Sequence, residues 1–135
     1  YDIAKKSLKK LSQGVNQQVA TWSPDSRHIA FVKDNNLFVT DGDKETQITR
    51  DGKFNEVING IPDWVYEEEF SFNRAFAWNA DGTAIGWIRF DESHVKTYSL
   101  QMFEGSHPTH SEYHDYPGEY SYKYPKAGQD NSKVI

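Results

Sequence analysis

Apolar and polar residues alternate in short bursts along this chain, and turn-forming residues separate the bursts. Residues 18–22 (QVATW) and 28–33 (HIAFVK) follow the two-residue period of half-buried strands, with Ser23-Pro24-Asp25-Ser26 as the turn between them. Asp34-Asn35-Asn36 turns the chain into 37–40 (LFVT), and Asp41-Gly42-Asp43 turns it again into 46–49 (TQIT). Four short antiparallel strands therefore fit between residue 18 and the Asp51-Gly52 turn, which is one blade-sized sheet. No apolar pattern of period 3.6 runs beyond about two turns, so a helical architecture is excluded.

The pattern then recurs. Ala20-Thr21-Trp22-Ser23-Pro24-Asp25-Ser26 corresponds to Phe76-Ala77-Trp78-Asn79-Ala80-Asp81-Gly82, and Ile29-Ala30-Phe31-Val32 to Ile85-Gly86-Trp87-Ile88. In each copy a Trp is expected to end an inner strand in the core, and an Asp to cap the turn through its side chain. Trp22 and Trp78 lie 56 residues apart, longer than the roughly 40–50 residues of common propeller repeats. The excess is an acidic insertion. The expected organisation is an all-β chain of β-propeller blades: one blade over about 18–53, an acidic helical or turn insertion over 54–73, a second blade with an extended hairpin over 74–128, and the start of another strand over 129–135. Residues 90–103 (FDESHVKTYSLQMF) read as a long strand pair within the second blade. Two blades cannot close a propeller, so the chain is expected to be part of a larger protein.

Composition narrows the function. The chain has 135 residues, a formal charge of −5 and no cysteine. The charge argues against nucleic-acid binding, which needs a basic face. The lack of cysteine excludes disulfides, cysteine-ligated zinc and a thiol nucleophile, and leaves the redox compartment open. No apolar run approaches a membrane span, and the basic start YDIAKKSLKKL has no apolar stretch of the signal-peptide kind. Aromatic residues reach 15%, which favours strands over helices.

The insertion carries the candidate chemistry. Within NGIPDWVYEEEF (59–70) three carboxylates, Glu67, Glu68 and Glu69, follow one another directly. Two such groups about 4 Å apart repel by roughly 4 kcal/mol at an intermediate dielectric. In open water the triplet is merely a solvated turn. Enclosed among Trp64, Tyr66, Phe70 and Phe72, it needs a cation: a metal, an Arg or Lys, or the ammonium of a ligand.

Other constellations weigh less. His107, His110 and His114 have spacings compatible with zinc, but their segment is polar, contains Pro108 and has no helical period to converge the rings. Asp63 with Glu67 or Glu68 could form a glycosidase pair, yet all three lie in one short turn, whereas such carboxylates usually come from separate elements. No G-x-S-x-G, phosphate loop or dinucleotide motif occurs, so no catalytic residue and no cofactor is expected in this chain.

Taken together, Asn59-Gly60-Ile61-Pro62-Asp63-Trp64-Val65-Tyr66-Glu67-Glu68-Glu69, Trp78 with Asp81-Gly82, and Tyr124-Pro125-Lys126-Ala127-Gly128 resemble the dipeptidyl peptidase IV family of serine exopeptidases, most closely its bacterial-type members. The resemblance covers roughly 18–135. It implies an N-terminal propeller portion that caps an α/β-hydrolase domain and gates access of peptides with a free N-terminus. It also implies that Glu68 and Glu69 hold the substrate's α-ammonium, and it leaves Glu67 without a substrate role. The family's Ser-Asp-His triad and its carbonyl-binding arginine are not found within this chain, so the chain alone should be inactive. Removal of X-Pro or X-Ala dipeptides, a homodimer formed through the 96–124 hairpin, and a periplasmic, cell-envelope or secreted parent are further implications. The rival reading is a WD40-like propeller module that binds a protein or peptide without chemistry.

Overall fold

The computed structural model describes residues 1–103 and 116–135. Strands β1 (Gln18–Trp22), β2 (Ile29–Lys33), β3 (Asn36–Thr40) and β4 (Glu45–Gln47) form one antiparallel sheet in sequence order. The β2–β3 register pairs Phe31 with Phe38 and Lys33 with Asn36, leaving Asp34 and Asn35 as a two-residue turn. Both have positive φ, 50° and 59°, as the hairpin turn that matches strand twist requires. Ala30, Val32 and Leu37 are fully buried on one face, and Phe31 stacks on Phe38 across the other at 5.6 Å between ring centroids. Four antiparallel strands lie where alternation placed them, each within one or two residues of its expected ends.

The repeated turns are superimposable in their bonding. Ser26 N–H donates to Ser23 O at 2.9 Å, and Gly82 N–H to Asn79 O at 3.1 Å. Asp25 Oδ1 accepts from the Arg27 amide (3.1 Å) and the Ser23 hydroxyl (2.6 Å), and Asp81 Oδ1 accepts from the Thr83 amide (3.0 Å). These bonds hold both carboxyls below the usual range, led by Ser23 Oγ for Asp25 and Thr83 Oγ1 for Asp81. The Trp residues behave otherwise than expected. Trp22 is 57% exposed, and the buried residue of that turn is its neighbour Ser23. The first core is closed by Phe76, with Trp78 packed at its margin.

After the first sheet the strands are not a plain second copy. Strands β6 (Phe76–Trp78) and β7 (Ile85–Trp87) form a two-stranded sheet, while β8 (Arg89–Asp91) lies between β5 (Val57–Asn59) and β11 (Lys133–Val134). The sequence expectation of a strand pair over 90–103 is therefore corrected. β8 and β9 (Thr97–Met102) do not pair with each other, and β9 pairs instead with β10 (Gly118–Lys123) in the register Tyr98↔Tyr122 and Leu100↔Tyr120. Period-two alternation marks a strand but not its partner, and only the turn separating them could have set the register. Likewise, Val57–Asn59 within the acidic insertion is a buried strand rather than loop.

Chain direction sorts the loops between two ends. The β1–β2 and β3–β4 turns share one end of the first sheet; the Asp34-Asn35 turn and the exit from β4 share the other. The chain leaving β4 stays at that second end, where the Asn59 amide donates to Asn35 O at 3.0 Å. Gly60, at φ 81°, then lets the backbone pass against Val32, where an added Cβ would lie 3.0 Å from Cγ2. Its carbonyl accepts from the Ala75 amide at 2.9 Å, tying together the two ends of the segment that carries the glutamates.

Candidate functional site

That segment contains the only α-helix among the described residues, α1 (Trp64–Phe70). Asp63 caps it, Oδ1 accepting from the Tyr66 amide at 2.9 Å, and Ser71 ends it in the left-handed region with its N–H donated to Glu67 O at 3.1 Å. A seven-residue helix is too short to persist by itself, so packing must hold it. Tyr66 supplies most of that packing, with Phe90 at 5.1 Å, Phe70 at 5.0 Å and Phe72 at 6.0 Å between centroids. Trp64 packs on Tyr124 at 4.3 Å. Ile61, just ahead of the cap, touches both apolar clusters, the one around Val32 and Leu37 and the one around Ile58 and Phe90.

The glutamates face away from this packing. At about 100° per residue, Glu68 lies roughly opposite Tyr66 on the helix, with Glu69 and Glu67 on its two sides. All three are exposed. Tyr66 and Phe72 pack beneath the helix and Trp64 packs on Tyr124, while Phe70 is 63% exposed, so the four aromatics do not close a cleft around the glutamates. Among the described residues no Lys or Arg makes an ion pair with any of the three. Glu67 sits in the first helical turn, where its charge complements the helix dipole. Glu68 and Glu69 remain as two adjacent, solvent-facing acceptors on a fixed support. Such a pair can take an ammonium, whose three donors match their oxygens.

Asp63 is not the partner in a carboxylate pair. It is 5% exposed, and both oxygens are engaged, Oδ1 by the Tyr66 amide and Oδ2 by the Ser132 hydroxyl at 2.5 Å. Two residues escaped the sequence reading. Glu92, 6% exposed, faces the Asp63 charge, and burial first, then Asp63, pushes its carboxyl up to about 7, with Lys123 opposing. Ser132 reaches Asp63 from 69 positions away. Neither stands out in FDES or DNSK, because their importance comes from strand pairing alone. His107, His110 and His114 lie outside the described residues. Among the described residues no group of three or more carboxylates and imidazoles converges as a metal site would.

A groove of about 650 Å³ lies elsewhere. It runs between the two repeated turns, lined by His28, Asp41, Trp78 and Ile85, and so opens at the end opposite the glutamates. Volume favours that groove, but the paired unpartnered carboxylates favour α1, and it is the carboxylates that carry a recognisable chemistry.

Comparison with known proteins agrees with the architecture. A probable dipeptidyl-aminopeptidase B of Podospora anserina is 48% identical over 127 residues, covering 89% of this chain and 14% of that protein. Its counterpart in Colletotrichum graminicola is 48% identical over 125 residues, covering 87% and 13%. The crystal structure of Porphyromonas gingivalis dipeptidyl peptidase 4 superimposes with a TM-score of 0.86 at 44% identity, covering 99% of this chain and 18% of that one. The chain thus spans about one seventh of the length of these curated relatives, and its antiparallel sheets match the propeller region of the solved structure. The family model for the dipeptidyl peptidase IV (DPP IV) N-terminal region matches residues 1–135, and the chain belongs to that family.

Proposed function

We propose that this chain is the substrate-gating propeller segment of a dipeptidyl peptidase IV-like serine protease that removes N-terminal dipeptides of the X-Pro or X-Ala kind. In this reading Glu68 and Glu69 clamp the α-ammonium of the peptide. The supporting observation is the placement of the two side chains: exposed, adjacent, without a cation from the described chain, on a helix whose other side is packed and whose two ends are capped. A clamp needs both properties. Fixed carboxylates lose little entropy on binding, and unpartnered ones need break no ion pair first.

The mechanism follows from charge and length. The α-ammonium has a pKa near 7.7–8.0 and is mostly charged at pH 7. Each charge-assisted bond contributes about 1.5–3 kcal/mol. Neutralising the two carboxylates also relieves their repulsion, which discriminates against an acylated N-terminus. An extended peptide advances about 3.3–3.6 Å per residue, so a nucleophile held two residues from the clamp releases dipeptides. The nucleophile and its partners belong to the α/β-hydrolase domain of the parent protein.

Two further elements belong to the same reading. The 96–124 hairpin is a homodimer arm: Tyr98, Leu100 and Tyr120 share a face of β9–β10 and are each about two fifths exposed. The parent is periplasmic, cell-envelope-bound or secreted; no described helix is long and apolar enough to cross a membrane.

Kinetics of the full-length protein on an X-Pro chromogenic substrate test the clamp. Glu68→Ala and Glu69→Ala should each lower kcat/KM by several kcal/mol of transition-state stabilisation, on the order of a hundredfold or more. Near-normal kcat/KM in both variants sinks the assignment.

A further inference from the structure

Beneath α1 lies a polar arrangement that the clamp reading does not use. β8 is the central strand of its sheet, and Glu92 follows its last residue. The register that pairs Lys133 with Asp91, continued by one residue, sets Ser132 opposite Glu92. On the other side the Glu92 amide donates to Glu56 O at 2.8 Å. Glu92 and Ser132 are thus cross-strand neighbours; Ser132 bonds the carboxyl of Asp63 directly, and Glu92 lies near enough to feel its charge. Ser132 Oγ donates to Oδ2, while Oδ1 holds the first turn of α1. Two carboxyl groups, 5% and 6% exposed, therefore share one small site under the helix that presents Glu68 and Glu69.

We propose that Asp63 is the positioning residue for Glu68 and Glu69, latched by Ser132, and that ionisation of Glu92 weakens this latch. The proposal rests on the clamp reading for its consequence in catalysis, but not for the latch itself.

The surroundings of Glu92 favour such a response. From α1's cap it faces Asp63; from β10 it faces Lys123; from the β5 side Glu56 meets it through a backbone carbonyl, and the Glu56 carboxylate pairs with Lys53. Among the described residues Lys123 is the cation that counters it. That ammonium is already engaged by Val95 O at 2.7 Å and Ser93 O at 3.2 Å, the carbonyls of the turn that follows Glu92. A neutral Glu92 leaves Asp63 free to accept its two hydrogen bonds. An ionised Glu92 places a second charge against Asp63 in a site with little water, where like charges interact most strongly. The least expensive relief is movement of Asp63 away from Glu92, and Asp63 carries the start of α1 with it. Burial holds the Glu92 carboxyl near neutrality, so the response falls in a working pH range.

Hydrogen exchange of segment 63–71 in the full-length protein tests the latch. Wild type, Glu92→Gln and Ser132→Ala are compared from pH 5.5 to 8.5, each rate divided by the intrinsic rate at that pH. Ser132→Ala should lower protection several-fold at every pH. The ratio of wild-type to Glu92→Gln protection should fall about three- to tenfold as pH rises through 7, as a like-charge interaction worth up to one pKa unit predicts. The KM for an X-Pro chromogenic substrate should rise with kcat unchanged, and dividing by the KM of Glu92→Gln cancels the titration of the substrate amine. A protection ratio that is flat with pH, or wild-type protection in Ser132→Ala, overturns the latch; the second variant decides the matter if the first does not fold. Protection that changes while KM does not overturns the positioning role, provided Glu68→Ala still raises KM. If Glu68→Ala leaves KM untouched, the clamp reading has failed instead, and the exchange data still decide the latch.

Discussion

The first sheet and the acidic helix are built on opposite plans. In β1–β4 each strand pairs with its neighbour in sequence, and the turns are bonded by residues within a few positions, as Asp25 is by Ser23 and Arg27. In α1 the caps are local, but the contacts that place the helix against the rest of the chain are distant. Tyr66 rests on Phe90, Trp64 on Tyr124, Asp63 is held by Ser132, and Gly60 is joined to Ala75. The local plan yields a stable wall that tolerates an open end. The non-local plan yields a small element whose position reports on strands far along the chain. The clamp proposed for Glu68 and Glu69 would need accurate placement more than intrinsic helix stability, which long-range fixing is suited to supply.

The largest effect that separates the two regions should come from the wall. Leu37→Ala removes a fully buried side chain facing Val32 and Phe76, and about 2–5 kcal/mol of stability is expected to go with it. Native-state hydrogen exchange of β2 and β3 in the full-length protein should show the loss. The proposed clamp should invert this result: Glu68→Ala, expected to lower kcat/KM, should alter the stability of the same amides by less than about 0.5 kcal/mol. A large stability loss from Glu68→Ala would mean that the glutamate is structural.

Between these lies Glu92. Its folded pKa of about 7 exceeds the ordinary value of 4.5, so the folded state keeps a proton that the unfolded chain releases. Its contribution to stability is therefore full below pH 4.5, declines up to about pH 7, and is flat above. Glu92→Gln should remove that decline and be the more stable form at pH 8, by about 1–3 kcal/mol. Denaturant unfolding at pH 4.5 and pH 8 reads the difference, and a wild type that gains on Glu92→Gln as pH rises has the sign reversed. Asp51 works the other way. The Arg89 guanidinium at 2.8 Å holds it below the usual range, so its contribution is present at neutral pH and lost only in acid below that range.

The smallest effect expected is at the repeated turns. Asp25→Ala deletes a side chain that accepts from two neighbours, and about 0.5–2 kcal/mol is expected, as for other local caps. Asp81→Ala should match it to within experimental error if the two turns are true repeats. Finally, the 135-residue chain by itself should give no turnover of an X-Pro substrate, and hydrolysis by the pure chain would place a nucleophile within it.

Much of the wall was legible in advance. The alternation over 18–49, the turn at Asp34-Asn35-Asn36, which the structure tightens to Asp34-Asn35, and the doubled Trp turn all act within a few residues, and local signals report local structure. The glutamates, too, could be singled out from their spacing and lead-in. What failed was anything that depends on pairing. The strand pair expected over 90–103 turned out to be two strands with other partners, because alternation shows that a strand exists and is silent on its neighbour. Trp22 was assigned to a core that Phe76 closes, since hydrophobicity gives no account of which face a turn presents. Of the aromatics around the triplet, Tyr66 and Phe72 pack beneath the helix and Phe70 is exposed, so the triplet is open to solvent rather than enclosed.

By itself, then, the sequence determined the class of architecture and the repeated turn, and its family resemblance singled out the two carboxylates of the proposed chemistry. Tertiary structure alone decided that those carboxylates face solvent, that Asp63 is a buried cap, and that Glu92 and Ser132 meet beneath it. The physical reason is range. Turn chemistry and residue type act over a few positions, whereas the charge and the hydroxyl that Asp63 meets come from residues 29 and 69 positions away, which the β8–β11 register sets side by side.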